Sequence, residues 1–256
     1  LHLCDRRQRQ MCIRDSTKVE RMKVKLMADI TVGDIKKITK GKLLCGNEYD
    51  ICENFCIDSR EIKSGDVFVG IKGERVNGNE LYEEVLKKGA KCLILENVEI
   101  PEDIIKKYTD SAIIIVEDTI KALQQIAEYK RNLYKIPVIA ITGSVGKTST
   151  KDIVAEVVSK KYKVLKTQGN LNNHIGLPLT ILSLKDEETM VVELGMSHLG
   201  EISTLTKIAK PTIAIITNVG TAHIGNLGSR ENILKAKMEI IEGLQNNGTL
   251  IINNDN

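Results

Sequence analysis

One glycine-rich segment combines the residue types needed for phosphate chemistry. It comprises Thr142, Gly143, Ser144, Val145, Gly146, Lys147, Thr148 and Ser149. Backbone N–H groups of such a loop, together with the N-terminus of a following helix, bind phosphate oxygens. Lys147 is spaced to reach the β- and γ-phosphates, and the Thr148 hydroxyl to ligate Mg²⁺. We therefore expect residues 142–149 to bind ATP or GTP.

One position departs from the usual motif, because Ile141 stands where G-x-x-x-x-G-K-[ST] has its first glycine. The alternative is a chance glycine turn before a helix. The order of strand, loop, Lys-Thr pair and helix favours a phosphate-binding loop.

Further candidate residues lie downstream of this loop. Glu193 ends an apolar strand and precedes Gly195 by two residues, which is typical of a carboxylate that holds phosphate-bound Mg²⁺. A solvent-exposed strand-end glutamate is the alternative. Three of the four histidines, His174, His198 and His223, also lie in this half, as surface residues or as parts of the site. Spacing alone predicts that Lys235 and Lys237 lie on a solvated basic face of a helix over 230–244.

Short apolar runs alternating with helices predict the scaffold of the second half. The predicted strands are 138–142, 163–166, 190–194, 213–218 and 249–252, with a helix over 147–160. This alternation indicates a largely parallel sheet, which binds ligands beyond the carboxyl ends of its strands. The phosphate loop, Glu193 and Asn218 all fall at strand ends, consistent with one site.

The first half also reads as α/β. We predict helices over 31–38, 79–88 and 119–133, and strands over 66–71, 91–95 and 112–116. Pro137 marks a boundary. The predicted organisation is a leader at 1–22, expected to be disordered, a first domain at 23–135 and a second at 136–256.

Composition narrows the function classes. The net charge is +3 and aromatic residues make up 3%, which argues against nucleic-acid binding. No apolar run approaches the roughly 18–20 residues of a membrane span. The six cysteines lack zinc-site spacing, so we expect reduced thiols in a cytoplasmic protein.

Both ends of the chain carry expectations of their own. Residues 1–16 contain clustered arginines and no initiator methionine, so we expect a leader or sequence artefact, with the true start near Met22 or Met27. The sequence stops at Asn256 directly after a predicted strand, so we expect a fragment of a longer protein.

Several stretches together resemble the Mur ligase family of peptidoglycan synthesis. They are the phosphate loop without its first glycine and residues 169–180, 193–202, 218–224, 236–240, 58–60 and 68–75. The resemblance extends from about residue 23 to 256. It implies an N-terminal α/β UDP-sugar-binding domain followed by a mostly parallel, incomplete ATP-binding domain.

The resemblance also implies an activity and its substrates. The reaction is ATP-dependent amide formation through an acyl phosphate, joining D-alanyl-D-alanine to UDP-N-acetylmuramoyl-tripeptide, in a bacterial cytoplasmic monomer. The implied catalytic residues are Lys147, Glu193, His223 and Lys237. Two Mg²⁺ ions are expected on Thr148, Glu193, His223 and a carbamylated Lys237, with Lys235 as the alternative lysine. Asn253 and Asp255 match adenine contacts. The implied substrate contacts are Ser59, Arg60, Lys72, Gly73, Glu74, Arg75, Asn172, Asn173, His174 and His198.

Two departures from the family pattern leave alternatives open. Asn77-Gly78-Asn79 stands where the family has Asp-Gly-His, and the family's third domain is absent from the sequence. The alternatives are another Mur ligase step, a folyl-polyglutamate-type ligase, or a catalytically silent nucleotide-binding module. A GTPase switch would need Asn-Lys-x-Asp and Asp-x-x-Gly motifs, and neither occurs.

Overall fold

The structure, a computed structural model, describes residues 29–255. The expected leader and the start near Met22 or Met27 lie outside this range. The strands are β1 Ile30–Thr31, β2 Lys42–Cys45, β3 Ile51–Cys52, β4 Phe55–Cys56, β5 Val67–Val69, β6 Cys92–Glu96, β7 Ala112–Val116, β8 Val138–Thr142, β9 Val164–Lys166, β10 Thr189–Glu193, β11 Ile213–Ile216 and β12 Thr249–Ile252.

Helices connect most of these strands. The α-helices are α1 Val32–Thr39, α2 Tyr82–Lys87, α3 Glu102–Lys107, α4 Thr119–Leu133, α5 Lys147–Ser159, α6 Gly176–Leu182, α7 Glu201–Ala209, α8 Ile224–Leu227 and α9 Arg230–Met238. Short 3₁₀ helices cover Gly78–Leu81 and Glu239–Gly243. No helix of the described range is long and apolar enough to cross a membrane.

The first half forms a five-stranded sheet in the order β2-β7-β6-β5-β4. Strands β4 to β7 pair in parallel, and β2 adds an antiparallel edge against β7. Strands β1 and β3 form a separate antiparallel pair. The α/β prediction for this half is confirmed, whereas β1 to β4 were not predicted.

The second half forms a wholly parallel five-stranded sheet in the order β12-β11-β8-β10-β9. The parallel register places Glu193 beside Ile141 and Ile216 beside Thr142. The end of β8, which enters the phosphate loop, therefore lies between the ends of β10 and β11. This arrangement confirms the predicted parallel sheet and brings three strand ends to one edge.

Helix α4 joins the two sheets. Asp118 caps its N-terminus by accepting a 2.8 Å hydrogen bond from the Lys121 N–H. Near its other end, the buried Lys130 Nζ donates to the Leu182 carbonyl at the end of α6. The buried Arg131 Nε donates to the Ala209 carbonyl at the end of α7. Two adjacent cations thus cap the negative ends of two helices of the second half.

Two predicted helices differ in detail. The helix expected over 79–88 begins as a 3₁₀ turn at Gly78 and becomes α-helical only at Tyr82. The helix expected over 230–244 is α-helical to Met238 and continues as a 3₁₀ helix. Helices α3, α6, α7 and α8 were not predicted, although Ile202 and Leu205 of α7 are buried at helical spacing.

The described cysteines are free thiols. Cys52 and Cys92 are buried, while Cys45 and Cys56 are half-buried. This agrees with the expected reduced state for these four residues; Cys4 and Cys12 lie outside the described range.

Candidate nucleotide and metal site

The phosphate loop turns sharply between β8 and α5. Gly146 precedes α5 with φ of 80°, a conformation that side chains disfavour. A Cβ on Gly143 would lie 1.8 Å from Thr217 Oγ1, so only glycine fits there. The Lys147 Nζ folds back over the loop and donates a 2.9 Å hydrogen bond to the Gly143 carbonyl. The predicted strand–loop–helix geometry is present.

Two predicted metal ligands lie in direct contact. Thr148 Oγ1 donates a 2.9 Å hydrogen bond to Glu193 Oε2, although 45 residues separate them in sequence. Glu193 is only 3% exposed, which contradicts the alternative of a solvent-exposed strand-end glutamate. Its other oxygen, Oε1, accepts a 2.9 Å hydrogen bond from Asn172 Nδ2. The Glu193 carboxylate is therefore held from both sides, beside the phosphate loop.

A second layer fixes the backbone around Glu193. The Glu193 N–H donates a 3.0 Å hydrogen bond to Thr167 Oγ1, and the buried Lys151 Nζ donates to the Thr167 carbonyl at 3.0 Å. Thr142 Oγ1 donates to the Leu194 carbonyl at 3.0 Å. Thr142 thus binds the neighbouring strand through its side chain, which ties the phosphate loop to the strand of Glu193.

Lys237 differs sharply from its neighbour Lys235. Lys237 is 1% exposed, whereas Lys235 is exposed on the same helix. Burial, reinforced by the charge of Lys147, lowers the pKa of Lys237 to about 8. Among the described residues the Lys237 ammonium has no carboxylate in salt-bridge range. The structure thus excludes the basic surface reading for Lys237.

His223 and Asn253 were also predicted to bind metal or nucleotide. They lie at the same edge of the sheet but do not contact Thr148 or Glu193. His223 is exposed, in the left-handed conformation with φ of 66°, and its carbonyl accepts the N–H groups of Asn226 and Leu227. Asn253 is exposed, and its side chain accepts the Asp255 N–H. Within residues 29–255 no group of three His, Cys, Asp or Glu side chains is placed to hold a metal. Of the predicted metal ligands in this range, Thr148 and Glu193 are therefore the two that contact each other.

The predicted sugar-side residues of the first half form two local structures. Arg60 Nε donates a 2.9 Å hydrogen bond to Asp58, and the Ser59 carbonyl accepts from Lys88 Nζ. Lys72 and Asn77 form an isolated antiparallel β-bridge that closes a tight turn. Within this turn the Gly73 N–H donates a hydrogen bond to the Val76 carbonyl. Glu74 and Arg75 are exposed on this turn.

The Asn-Gly-Asn departure has a structural role in this half. Asn79 is 2% exposed, and its Oδ1 accepts the Glu96 N–H at 2.9 Å. Its Nδ2 donates to Asn77 Oδ1 at 3.1 Å. An asparagine therefore fixes the end of β6 at the position where the resemblance leads one to expect histidine.

The remaining residues predicted to bind substrate differ in their exposure and in the contacts they make. Asn172 binds Glu193, as described above. Asn173 Oδ1 accepts the N–H groups of Ile175 and Gly176 and so fixes the turn that leads into α6. His174 is exposed, and its carbonyl accepts from Gln124 of α4. His198 is exposed, with Nδ1 3.4 Å from Glu201 Oε1.

Asn218 was placed at the predicted site by its strand-end position, but its contact with the phosphate loop was missed. Its Oδ1 accepts hydrogen bonds from the Ser144 and Val145 N–H groups, each at 3.0 Å. The only sequence signal was its position at the end of the predicted strand 213–218. Thr167 and Lys151 were missed as well, because their contacts depend on how β9 and α5 pack.

Comparisons with known proteins match both halves. Residues 141–256 match the Mur ligase middle domain, and residues 53–131 match the Mur ligase family catalytic domain. UDP-N-acetylmuramoyl-tripeptide–D-alanyl-D-alanine ligase of Bacillus subtilis (strain 168) is 40% identical over 224 residues, which are 86% of this chain and 48% of that protein. The chain thus spans about half the length of the curated relatives it matches.

Solved structures agree with the sequence relatives. MurF from Acinetobacter baumannii superposes with a TM-score of 0.77 at 35% identity, covering 88% of this chain and 48% of that one. MurF ligase from Thermotoga maritima in complex with ADP gives a TM-score of 0.71 at 38% identity, covering 78% and 45%. The α/β architecture of both halves therefore matches that of the relatives.

Proposed function

Since this chain belongs to the Mur ligase family, we propose that it acts in ATP-dependent ligation of a peptidoglycan precursor. The proposed reaction joins D-alanyl-D-alanine to UDP-N-acetylmuramoyl-tripeptide. The Bacillus subtilis relative, at 40% identity, is named for these two substrates. The Thermotoga maritima structure, at 38% identity, is a complex with ADP. We further propose a monomer in the bacterial cytoplasm.

The contact between Thr148 and Glu193 is the observation that carries this proposal. A hydroxyl and a buried carboxylate 2.9 Å apart, beside a phosphate loop, are the oxygen donors that Mg²⁺ takes when it also binds nucleotide phosphates. Thr148 and Glu193 therefore fit the ion, and Asn172 orients the carboxylate. Bound Mg²⁺ would supply charge neutralisation on the phosphates.

The reaction must bring two anions together. In the proposed chemistry a substrate carboxylate oxygen bonds to the γ-phosphorus as the bond to ADP breaks. The amine of the second substrate then bonds to the acyl carbon, phosphate leaves, and the amine loses a proton. Lys147 lies on the phosphate loop, where its ammonium offsets the repulsion between the carboxylate and the γ-phosphate.

We also propose that Lys237 carries a carbamate. A buried lysine with a pKa of about 8 holds an appreciable fraction of neutral amine near physiological pH. That amine can bond to the carbon of CO₂ and release one proton, which replaces an ammonium by a carboxylate. The product would be a second metal-binding oxygen group, with His223 as a further candidate ligand on the same edge of the sheet. Asn253 is proposed on the adenine side.

The first half is proposed to bind the UDP-sugar. The Ser59–Arg60 segment and the turn at residues 72–77 present polar groups for this purpose. Lys72 also lines a cavity of about 230 Å³ together with Glu96 and Thr119. Helix α4 connects this half to the second half through Lys130 and Arg131, which bond to the ends of α6 and α7.

Isotope transfer tests the proposed chemistry. UDP-N-acetylmuramoyl-tripeptide labelled with ¹⁸O in its terminal carboxylate is incubated with the chain, Mg-ATP and D-alanyl-D-alanine. An acyl phosphate transfers one labelled oxygen to the released phosphate, which mass spectrometry detects. Unlabelled phosphate released at the rate of substrate turnover would contradict the proposal.

A further inference from the structure

Several hydrogen bonds join the phosphate loop to the segment that follows β11. The Ser144 N–H donates to the carbonyl and to Oδ1 of Asn218, at 3.1 and 3.0 Å, and the Val145 N–H donates to the same Oδ1 at 3.0 Å. Thr217 Oγ1 donates to the Val145 carbonyl at 2.7 Å, and the Gly220 N–H donates to Ser144 Oγ at 2.9 Å. One side-chain oxygen of Asn218 therefore receives two consecutive backbone amides of the loop.

The chemistry of this contact suits an asparagine. The Val145 N–H has no other acceptor among the described residues, whereas the Ser144 N–H also reaches the Asn218 backbone carbonyl. A carboxylate would accept both bonds but would place a negative charge beside a loop that has to bind phosphates. The carboxamide oxygen accepts them without that charge.

The same segment leads to other predicted site residues. His223 lies five residues after Asn218, and Arg230 Nε at the start of α9 donates to the Val219 carbonyl at 2.9 Å. Helix α9 carries Lys237. The segment over 217–220 is therefore bonded to the phosphate loop on one side and to the helix of Lys237 on the other.

We propose that Asn218 is a positioning residue that sets the Ser144 and Val145 amides and couples the phosphate loop to the segment bearing His223. This inference rests on the proposed function, since the ligand of the loop is taken to be a nucleotide. Without the Asn218 acceptor, the first half of the loop samples other conformations. Nucleotide binding then has to order the loop, which weakens it.

Binding titrations test the proposal. The Asn218→Ala chain is expected to bind Mg-ADP about tenfold more weakly than wild type, the loss expected for about two hydrogen bonds of modest net value. Its Kd for UDP-N-acetylmuramoyl-tripeptide should be unchanged, since that ligand is placed on the first half. Asn226→Ala, in the exposed turn after His223, is the matched control and should bind both ligands as wild type does. A merely structural role would weaken both ligands together, and equal Mg-ADP affinity in Asn218→Ala would overturn the proposal.

Amide hydrogen exchange measured by NMR gives a readout that needs no nucleotide. Asn218→Ala should speed exchange at Val145, whose N–H loses its acceptor, while leaving Ala140 in β8 protected, which shows that the sheet is intact. Asn218→Asp, which keeps an acceptor oxygen, should retain the protection. Unchanged exchange at Val145 in Asn218→Ala would overturn the positioning role. A wild-type chain that does not bind Mg-ADP would instead contradict the proposed function, and the exchange rates would still decide the role of Asn218.

Discussion

The Thr148 hydroxyl donates a 2.9 Å hydrogen bond to the Glu193 carboxylate, which links the start of α5 to the end of β10. The contact arises because β8 and β10 pair in parallel with Ile141 beside Glu193. The loop that leaves β8 therefore turns back over the end of the neighbouring strand. Sheet register thus brings together two oxygen groups suited to Mg²⁺, and the first prediction below depends on that contact.

Glu193→Gln should remove the effect of Mg²⁺ on nucleotide binding. Glutamine keeps the size of the side chain and an acceptor for Thr148, but it lacks the charge that attracts the ion. We expect the Kd for ADP in Mg²⁺ to rise by about tenfold or more, measured by calorimetric titration with and without the ion. Glu156→Gln, an exposed residue of α5, is the control. Persistence of the full Mg²⁺ effect in Glu193→Gln would argue against the metal assignment.

Lys147→Ala should abolish ATP turnover. The Lys147 ammonium is the positive charge of the phosphate loop, where the phosphates are expected to bind. Loss of one such stabilising group costs about a hundredfold or more in rate. Phosphate release with all substrates present is the measurement. Lys160→Ala, just beyond the end of α5, should turn over ATP at the wild-type rate. Retained turnover in Lys147→Ala would overturn the phosphate-loop assignment.

Lys237→Met should remove a carbamate signal and inactivate the chain. Because Lys237 is buried and its pKa is lowered to about 8, its neutral amine can capture CO₂. ¹³C NMR after equilibration with labelled bicarbonate should show one carbamate resonance in wild type and in the exposed-site control Lys235→Met. An active wild-type chain without that resonance would refute the modification.

Lys130→Met should change how stability depends on pH. Burial, with the charge of Lys185 adding to it, lowers the pKa of Lys130 to about 8 in the folded chain. The unfolded lysine titrates near a pKa of about 10.4, so between these values the unfolded state binds more protons and the free energy of unfolding rises with pH. That stabilisation is absent below pH 8 and develops above it.

Denaturant unfolding at pH 7.5 and 9.5 measures this effect. The wild-type free energy of unfolding should gain on the order of 1 kcal/mol more than that of Lys130→Met over this interval. The variant should also be less stable at both pH values, because the Leu182 carbonyl loses its donor. Lys121→Met, an exposed change on the same helix, serves as the control. An identical pH dependence in Lys130→Met and wild type would contradict the effect of burial on Lys130.

Local sequence patterns predicted the elements that carry the nucleotide site. The bounds of α4 match the predicted 119–133, and the phosphate loop lies between β8 and α5 as its motif required. Glu193 could be singled out because a carboxylate ending an apolar strand has few structural reasons to be there. These signals are encoded within about fifteen consecutive residues.

The features that were missed depend on distant segments. The bonds from Asn172 to Glu193 and from Asn218 to the loop exist only because of the strand order, which no local pattern encodes. Strand β2 pairs antiparallel with β7 through a register shift, and its half-exposed residues give little alternation to detect. The burial of Lys237 likewise follows from packing, since its spacing equally suits a solvated face.

Calorimetric titration with the two proposed substrates tests the central claim most directly. The wild-type chain is titrated separately with Mg-ATP and with UDP-N-acetylmuramoyl-tripeptide, and Lys147→Ala is titrated with both. The account predicts one site for each ligand in wild type, with only the Mg-ATP site weakened in Lys147→Ala. Failure of the folded wild-type chain to bind either ligand, or nucleotide binding unaffected by Lys147→Ala, would contradict it.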